Sequence, residues 1–273
     1  MSLSTILFLF LAHLGVGIVF TLVFVSREAG VKFFRFNAGL AAILIAIALA
    51  FRFGGSRPGA AASANVFDLG ALALVCGESA LVIYWATVGR MLARIRSLLV
   101  TVAVGGGLIA TVAQALTLTA DRELSMRALT VASFLSSAAL LGGACTAMIL
   151  GHWYLILPSM QVRHLQSIVK LHIGSMIVRV LIVGAAVYAA IAVWQPGLGP
   201  SFSRYITSAA GIFFWQRVLF GLAGPAVLSY LTWETAKIRS TQSATGILYV
   251  DFFTVVVGEV LAKYLLLATR VPV

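Results

Sequence analysis

Charge is what this chain has least of. Only 10% of its 273 residues are charged, and just eight are acidic against 19 basic ones. Soluble domains carry about a quarter charged residues, so a water-facing globular domain is excluded. The hydrophobic share of 61% and a mean hydropathy of +1.06 point instead to an integral membrane protein. Cysteine is nearly absent: Cys76 and Cys145 both fall in apolar runs, which excludes a disulfide framework and a thiolate metal site. No Gly-rich phosphate loop, serine-nucleophile elbow or HExxH motif is present. The net charge of +11 is spread over the loops, which argues for membrane topology and against a nucleic-acid partner. The N-terminal run MSLSTILFLFLAHLGVGIVFTLVFVSREAG has no basic leader and is too long for a signal-peptide core, so it reads as a first membrane helix.

What is present is a series of long apolar runs. A helix needs about 20 residues to cross the hydrocarbon core. Eight such spans can be drawn, at Thr5–Val25, Phe36–Phe53, Val66–Ala86, Leu98–Leu118, Leu129–Leu157, Ile168–Trp194, Ile206–Thr232 and Ile247–Ala268. None alternates as a barrel strand would, so the expected fold is all-α: a polytopic helical bundle of about eight transmembrane helices in one domain, 1–273. Breaks such as GGSRPGAAASAN, RMLARIRS and QPGLGPSF separate the runs, and Phe33-Phe34-Arg35-Phe36 blurs the start of the second. The odd-numbered loops carry ten Lys and Arg residues, against six in the even-numbered loops and C-terminus. The positive-inside rule therefore puts the odd loops in the cytoplasm and both termini outside, in a cell's inner (cytoplasmic) membrane. Gly105-Gly106-Gly107 and Gly142-Gly143 suit close helix approach, and Pro225 should kink the seventh span.

Ionisable groups within hydrocarbon cost about 2.5–3.5 kcal/mol even on a lenient insertion scale and usually mark function. Here they are His13, Glu78, Arg179, Arg217, Asp251, Glu259 and Lys263. Glu259 and Lys263 are four residues apart and form a helix-face pair, with Lys263 expected to snorkel to the headgroups. Glu78 has no charged neighbour in its own helix; it would be protonated, or would find Arg179 or Arg217 on another span. It is the candidate proton acceptor or donor. Arg217 could polarise a bound carbonyl or pair with Glu78 or Asp251.

The stretch GHWYLILPSMQVRHLQSIVKLHIG, Gly151–Gly174, holds His152, His164 and His172. Antiparallel neighbouring helices would put His152 and His172 at similar depth near the cytoplasmic surface. The pair could ligate a b-type haem, hydrogen-bond a quinone, or lie in an aromatic-polar belt beside Trp153 and Tyr154. His164 would sit in the connecting loop.

Phe214–Glu234 (FWQRVLFGLAGPAVLSYLTWE) and Phe252–Leu266 (FFTVVVGEVLAKYLL) resemble the last two helices of the DMSO reductase membrane-anchor family, a relative of the NrfD-type quinol-interacting subunits. Trp215, Arg217, Val218 and Leu219 match its W-R-V-L-L pattern with one residue inserted. Gly258, Glu259 and Leu261 match G-E-L-x-G-R, with Ala262 and Lys263 in place of Gly-Arg, and Glu78-Ser79-Ala80 is similar to its N-E-I-A-S stretch. The family's histidine between the second and third helices has no counterpart in GGSRPGAAASANVFD. The resemblance implies an anchor that takes electrons and protons from a quinol, menaquinone or ubiquinone type, and passes the electrons to an iron–sulfur or other redox subunit. Glu78 would then handle the proton beside a site built from His152, His172 and Arg217. Two other classes stay open from the residues alone: a haem- or pigment-binding subunit, and a proton- or ion-coupled transporter.

Overall fold

The computed structural model describes residues 3–54, 64–91, 93–156, 161–192 and 201–273. Expectations that fall on Arg57, Pro158, Trp194 and the glycine- and proline-rich stretches around Arg57 and Gly197 lie outside those residues. The described chain is helical: α1 Leu3–Leu22, α2 Gly30–Gly54, α3 Ala64–Thr87, α4 Arg96–Leu118, α5 Leu124–Ile156, α6 Arg163–Ala192, the short α7 Phe202–Thr207, α8 Ile212–Val218, α9 Gly224–Lys237 and α10 Thr241–Thr269. Eight helical stretches are long and apolar enough to cross a membrane, with α8, a π-helical turn at Leu219–Ala223 and α9 together forming the seventh. The protein is a multi-pass membrane protein.

Local chemistry sets the boundaries. The second span starts six residues before Phe36, because Ser26 caps a 3-10 turn at Arg27–Ala29 and Gly30 takes φ +80. In the seventh span Pro225 lacks an N–H, and its ring crowds the carbonyl of Gly221, four residues back. The helix widens there into the π turn instead of continuing regularly.

The bundle is built around α5, which packs against α1, α4, α6 and α10. The crossing of α1 with α5 admits only glycine at two positions. A Cβ on Gly142 would lie 2.1 Å from the carbonyl oxygen of Gly17, and one on Gly17 would lie 2.0 Å from the carbonyl oxygen of Ala138. With no water to expel between helices in lipid, this backbone-to-backbone packing is what α1 and α5 gain by associating. Thr21 adds to it, its hydroxyl 2.6 Å from Thr146. Gly106 meets α3 similarly, whereas Gly105 faces open space. Between α4 and α6, floored by α5, an apolar cleft of about 810 Å³ includes Ile109, Ala139 and Ile182 in its wall, and among the described residues Ser136 is its one polar lining residue.

Gly142→Ala should lower the midpoint of thermal unfolding in detergent, at a cost of about 1–3 kcal/mol for overpacking. Gly105→Ala, in space that is open, should leave the midpoint unchanged or raise it slightly. Equal effects at the two positions would contradict the crossing.

Candidate functional site

The site grows from spacing on two helices. On α10, Asp251, Glu259 and Lys263 sit eight and four residues apart, on one inward face, and none is more than 2% exposed. On α6, His172 and Arg179 are seven residues apart, two turns along the same face, both fully buried. The two helices run parallel and their charges meet in two rungs, about 11 Å apart by helical rise. In the first, His172 Nε2 lies 2.7 Å from Asp251 Oδ2 in a bent approach. In the second, Arg179 Nε donates to Glu259 Oε1 at 2.9 Å and its Nη2 to Oε2 at 3.2 Å.

Glu259 is the hub of the second rung. Arg217 Nη2 donates to its Oε1 at 2.9 Å, Ser137 Oγ donates to Oε2 at 2.5 Å, and Lys263 Nζ stands 3.6 Å from Oε2. Ser137 on α5 also accepts from Lys263 Nζ at 2.7 Å and lies 3.4 Å from His13 Nδ1 on α1. Arg179 Nη1 donates to both Ser133 Oγ, at 2.7 Å, and the Ser133 carbonyl, at 3.1 Å. Arg217 is delivered by α8, two residues before the π turn. Its Nη1 occupies the space a Cβ on Gly221 would need, only 1.8 Å away, and Gly221 in turn rests on Gly258. The Nε and Nη1 atoms of Arg217 are enclosed without a hydrogen-bond partner.

The four residues expected to form one site are not brought together. Arg217 is committed to Glu259, and to neither Glu78 nor Asp251. His172 is committed to Asp251 and packs against Gly143 of α5. His152 lies nine residues further along α5, about 13 Å by helical rise. It is exposed, with Nδ1 3.0 Å from the Tyr249 hydroxyl. The two imidazoles therefore do not form an axial haem pair. Glu78 sits midway along its span on α3, which packs on α2 and α4. It is half-buried, forms no ion pair among the described residues, and holds one carboxylate oxygen, Oε2, enclosed without a partner. Lys263 does not snorkel: the Glu259 carboxylate, 3.6 Å away, and the Ser137 hydroxyl hold it inside. His164 lies in the first turn of α6, its Nε2 2.7 Å from Glu28 Oε2, with Arg163 3.8 Å from the same carboxylate. Among the described residues no three of His, Cys, Asp and Glu gather as a metal site would require.

Ser133 and Ser137 were not singled out from the sequence. Their signal was the i, i+4 pair of hydroxyls in SFLSS, inside an otherwise apolar helix. The pairing of α6 with α10 also had a signal, in the matched two-turn intervals His172 to Arg179 and Asp251 to Glu259.

No protein-family model matches the chain, and neither a curated protein nor a solved structure matches it significantly. The class defined by fold and site is thus a multi-pass helical membrane protein with a buried charge cluster.

Removing the carboxylate while keeping its shape strands three basic side chains. Glu259→Gln should destabilise the bundle by about 3–5 kcal/mol, as loss of one partner of a buried ion pair does, seen as a drop in unfolding midpoint. An unchanged midpoint would show that the cluster does not hold the helices.

Proposed function

We propose that the protein is a quinone- or quinol-interacting subunit of a respiratory-type redox complex in the inner (cytoplasmic) membrane. It would exchange electrons with an iron–sulfur or other redox partner subunit. The observation that carries this reading is Glu78. A carboxyl group halfway through a peripheral span, half-buried and without an ionic partner, is reached from the bilayer more readily than from water. A quinol arrives by that route and brings protons that must be accepted within the membrane. Glu78 takes a proton from the quinol hydroxyl, and the electrons leave to the partner. The neighbouring face of α3 supports such access: Val75, Cys76, Ser79 and Val82 are all exposed on it. The motif resemblance at Glu78-Ser79-Ala80 and in the last two spans points the same way. Because Arg217 and His172 are committed elsewhere, the reading no longer includes them as quinone contacts. His152, on the rim beside Tyr249, keeps its place as a candidate polar contact.

A second reading, proton- or ion-coupled transport, is favoured by one observation: two acid–base rungs buried one above the other between α6 and α10. Such stacked ionisable groups are the usual material of intramembrane proton relays.

Quinone extraction from purified protein, together with binding of a quinol analogue, separates the readings. Bound quinone that is lost in Glu78→Gln, with unfolding midpoint unchanged, is the expected result. Absence of quinone from the wild type, combined with substrate uptake by the protein alone in liposomes, would replace this reading with transport.

A further inference from the structure

The buried cluster does not balance. Arg179, Arg217 and Lys263 converge on Glu259, the one acidic side chain that contacts any of them among the described residues, and all four side chains are at most 2% exposed. Arg179 Nη2 also donates to the Val273 oxygen at 3.4 Å, and even with that oxygen counted as an anion three cations face only two negative groups. The next acid on α10, Asp251, is two turns away and faces His172. Uncompensated charge in a low-dielectric interior costs several kcal/mol per ion. Guanidinium groups keep their protons in proteins, whereas a lysine amine can exchange one. Of the three cations, Lys263 is therefore the one whose charge can vary.

Its surroundings give that proton somewhere to go. Lys263 Nζ is 2.7 Å from Ser137 Oγ, Ser137 Oγ is 2.5 Å from Glu259 Oε2, and His13 Nδ1 is 3.4 Å from the same hydroxyl. A hydroxyl both donates and accepts, so Ser137 is a junction between an amine, a carboxylate and an imidazole. Groups gather around it from the packed elements: His13 from α1, Gln114 of α4 beside His13, Arg179 from α6, Arg217 from α8 and Glu259 from α10, with Ser133 on α5 itself. The far nitrogen of His13, Nε2, is buried without a strict hydrogen bond, and the polar side chain beside His13 on its outer side is Gln114 of α4. The Phe134 ring closes the space, with its centroid 5.1 Å from Lys263 Nζ and 4.7 Å from that of the His13 ring.

We propose that the Ser137 junction is an internal proton-exchange site centred on Lys263. An N–H bond of the Lys263 ammonium breaks as an O–H bond forms at Ser137, and the proton Ser137 already carried passes to Glu259 Oε2 or His13 Nδ1. As the pH is raised that acceptor yields it to hydroxide, so the chain loses one proton that it takes up again when the pH is lowered. The reverse transfer restores the ammonium, and no electrons move. The site shares no residue with Glu78, so it stands or falls independently of quinol binding.

The test is net proton uptake by the purified full chain, titrated across the neutral and mildly alkaline range. The wild type should take up one proton per chain more than Lys263→Met. Lys263→Arg should show the same deficit, because a guanidinium keeps its proton; it also keeps the cation should the methionine variant fold poorly. Ser137→Ala should slow the exchange, and Ser137→Thr, which restores a hydroxyl, should recover it. Equal uptake by the wild type and both lysine variants would overturn the proposal and leave the cluster a fixed clamp.

Discussion

Everything in the interior of this bundle depends on one carboxylate. Glu259 accepts from Arg179, Arg217 and Ser137 and stands beside Lys263, so a single side chain ties α5, α6, α8 and α10 together. In water such a network would be worth little, because exposed pairs contribute about 0–1 kcal/mol. Inside a membrane bundle the comparison changes. The charges are already committed to hydrocarbon depth, and the penalty for leaving one unpartnered exceeds what any pair gains. The helices are held in register less by attraction than by the absence of another place for three basic groups to go.

The backbone serves the same constraint. Gly17 and Gly142 let α1 approach α5 closely enough for His13 to reach Ser137. Pro225 forces the π turn, and the widened helix sets Gly221 on Gly258 with Arg217 lying across them. A regular helix at that point would turn the residues on its two sides through a different angle, so the irregularity and the buried arginine belong together. Glu78 is outside this economy. Among the described residues it has no cation to explain it, which is why the functional reading rests there.

The fold was legible in the sequence because its determinants are local and periodic. Eight apolar runs, glycines at the crossings and a proline in the seventh span are one-dimensional signals, and the structure bears out the bundle class with end shifts at capped or irregular turns. The intramembrane charges were legible individually but not as pairs. Partner choice depends on which helix faces which, and a single sequence leaves that undetermined. Arg217 could equally have been assigned to Glu78 or Asp251 until α8 was seen to pack on α10 at Gly258. His152 and His172 read as matched in depth in the sequence because antiparallel neighbouring helices return to the same level. In the structure α6 begins at Arg163, so His172 lies about two and a half turns into that helix, while His152 is near the end of α5. The hydroxyls of Ser133 and Ser137 were hidden by their ordinariness, since serine in a membrane helix usually bonds its own backbone.

A double-mutant cycle between Arg179→Met and Glu259→Gln, read as unfolding free energy in mixed micelles, tests the central claim most directly. If Glu259 is the hub, each single variant strands a buried charge and the double variant recovers much of the loss, giving a coupling energy toward the upper part of the roughly 0.5–3 kcal/mol range. Additive effects, with no coupling, would mean that the two side chains do not depend on each other and that something else holds α6 to α10.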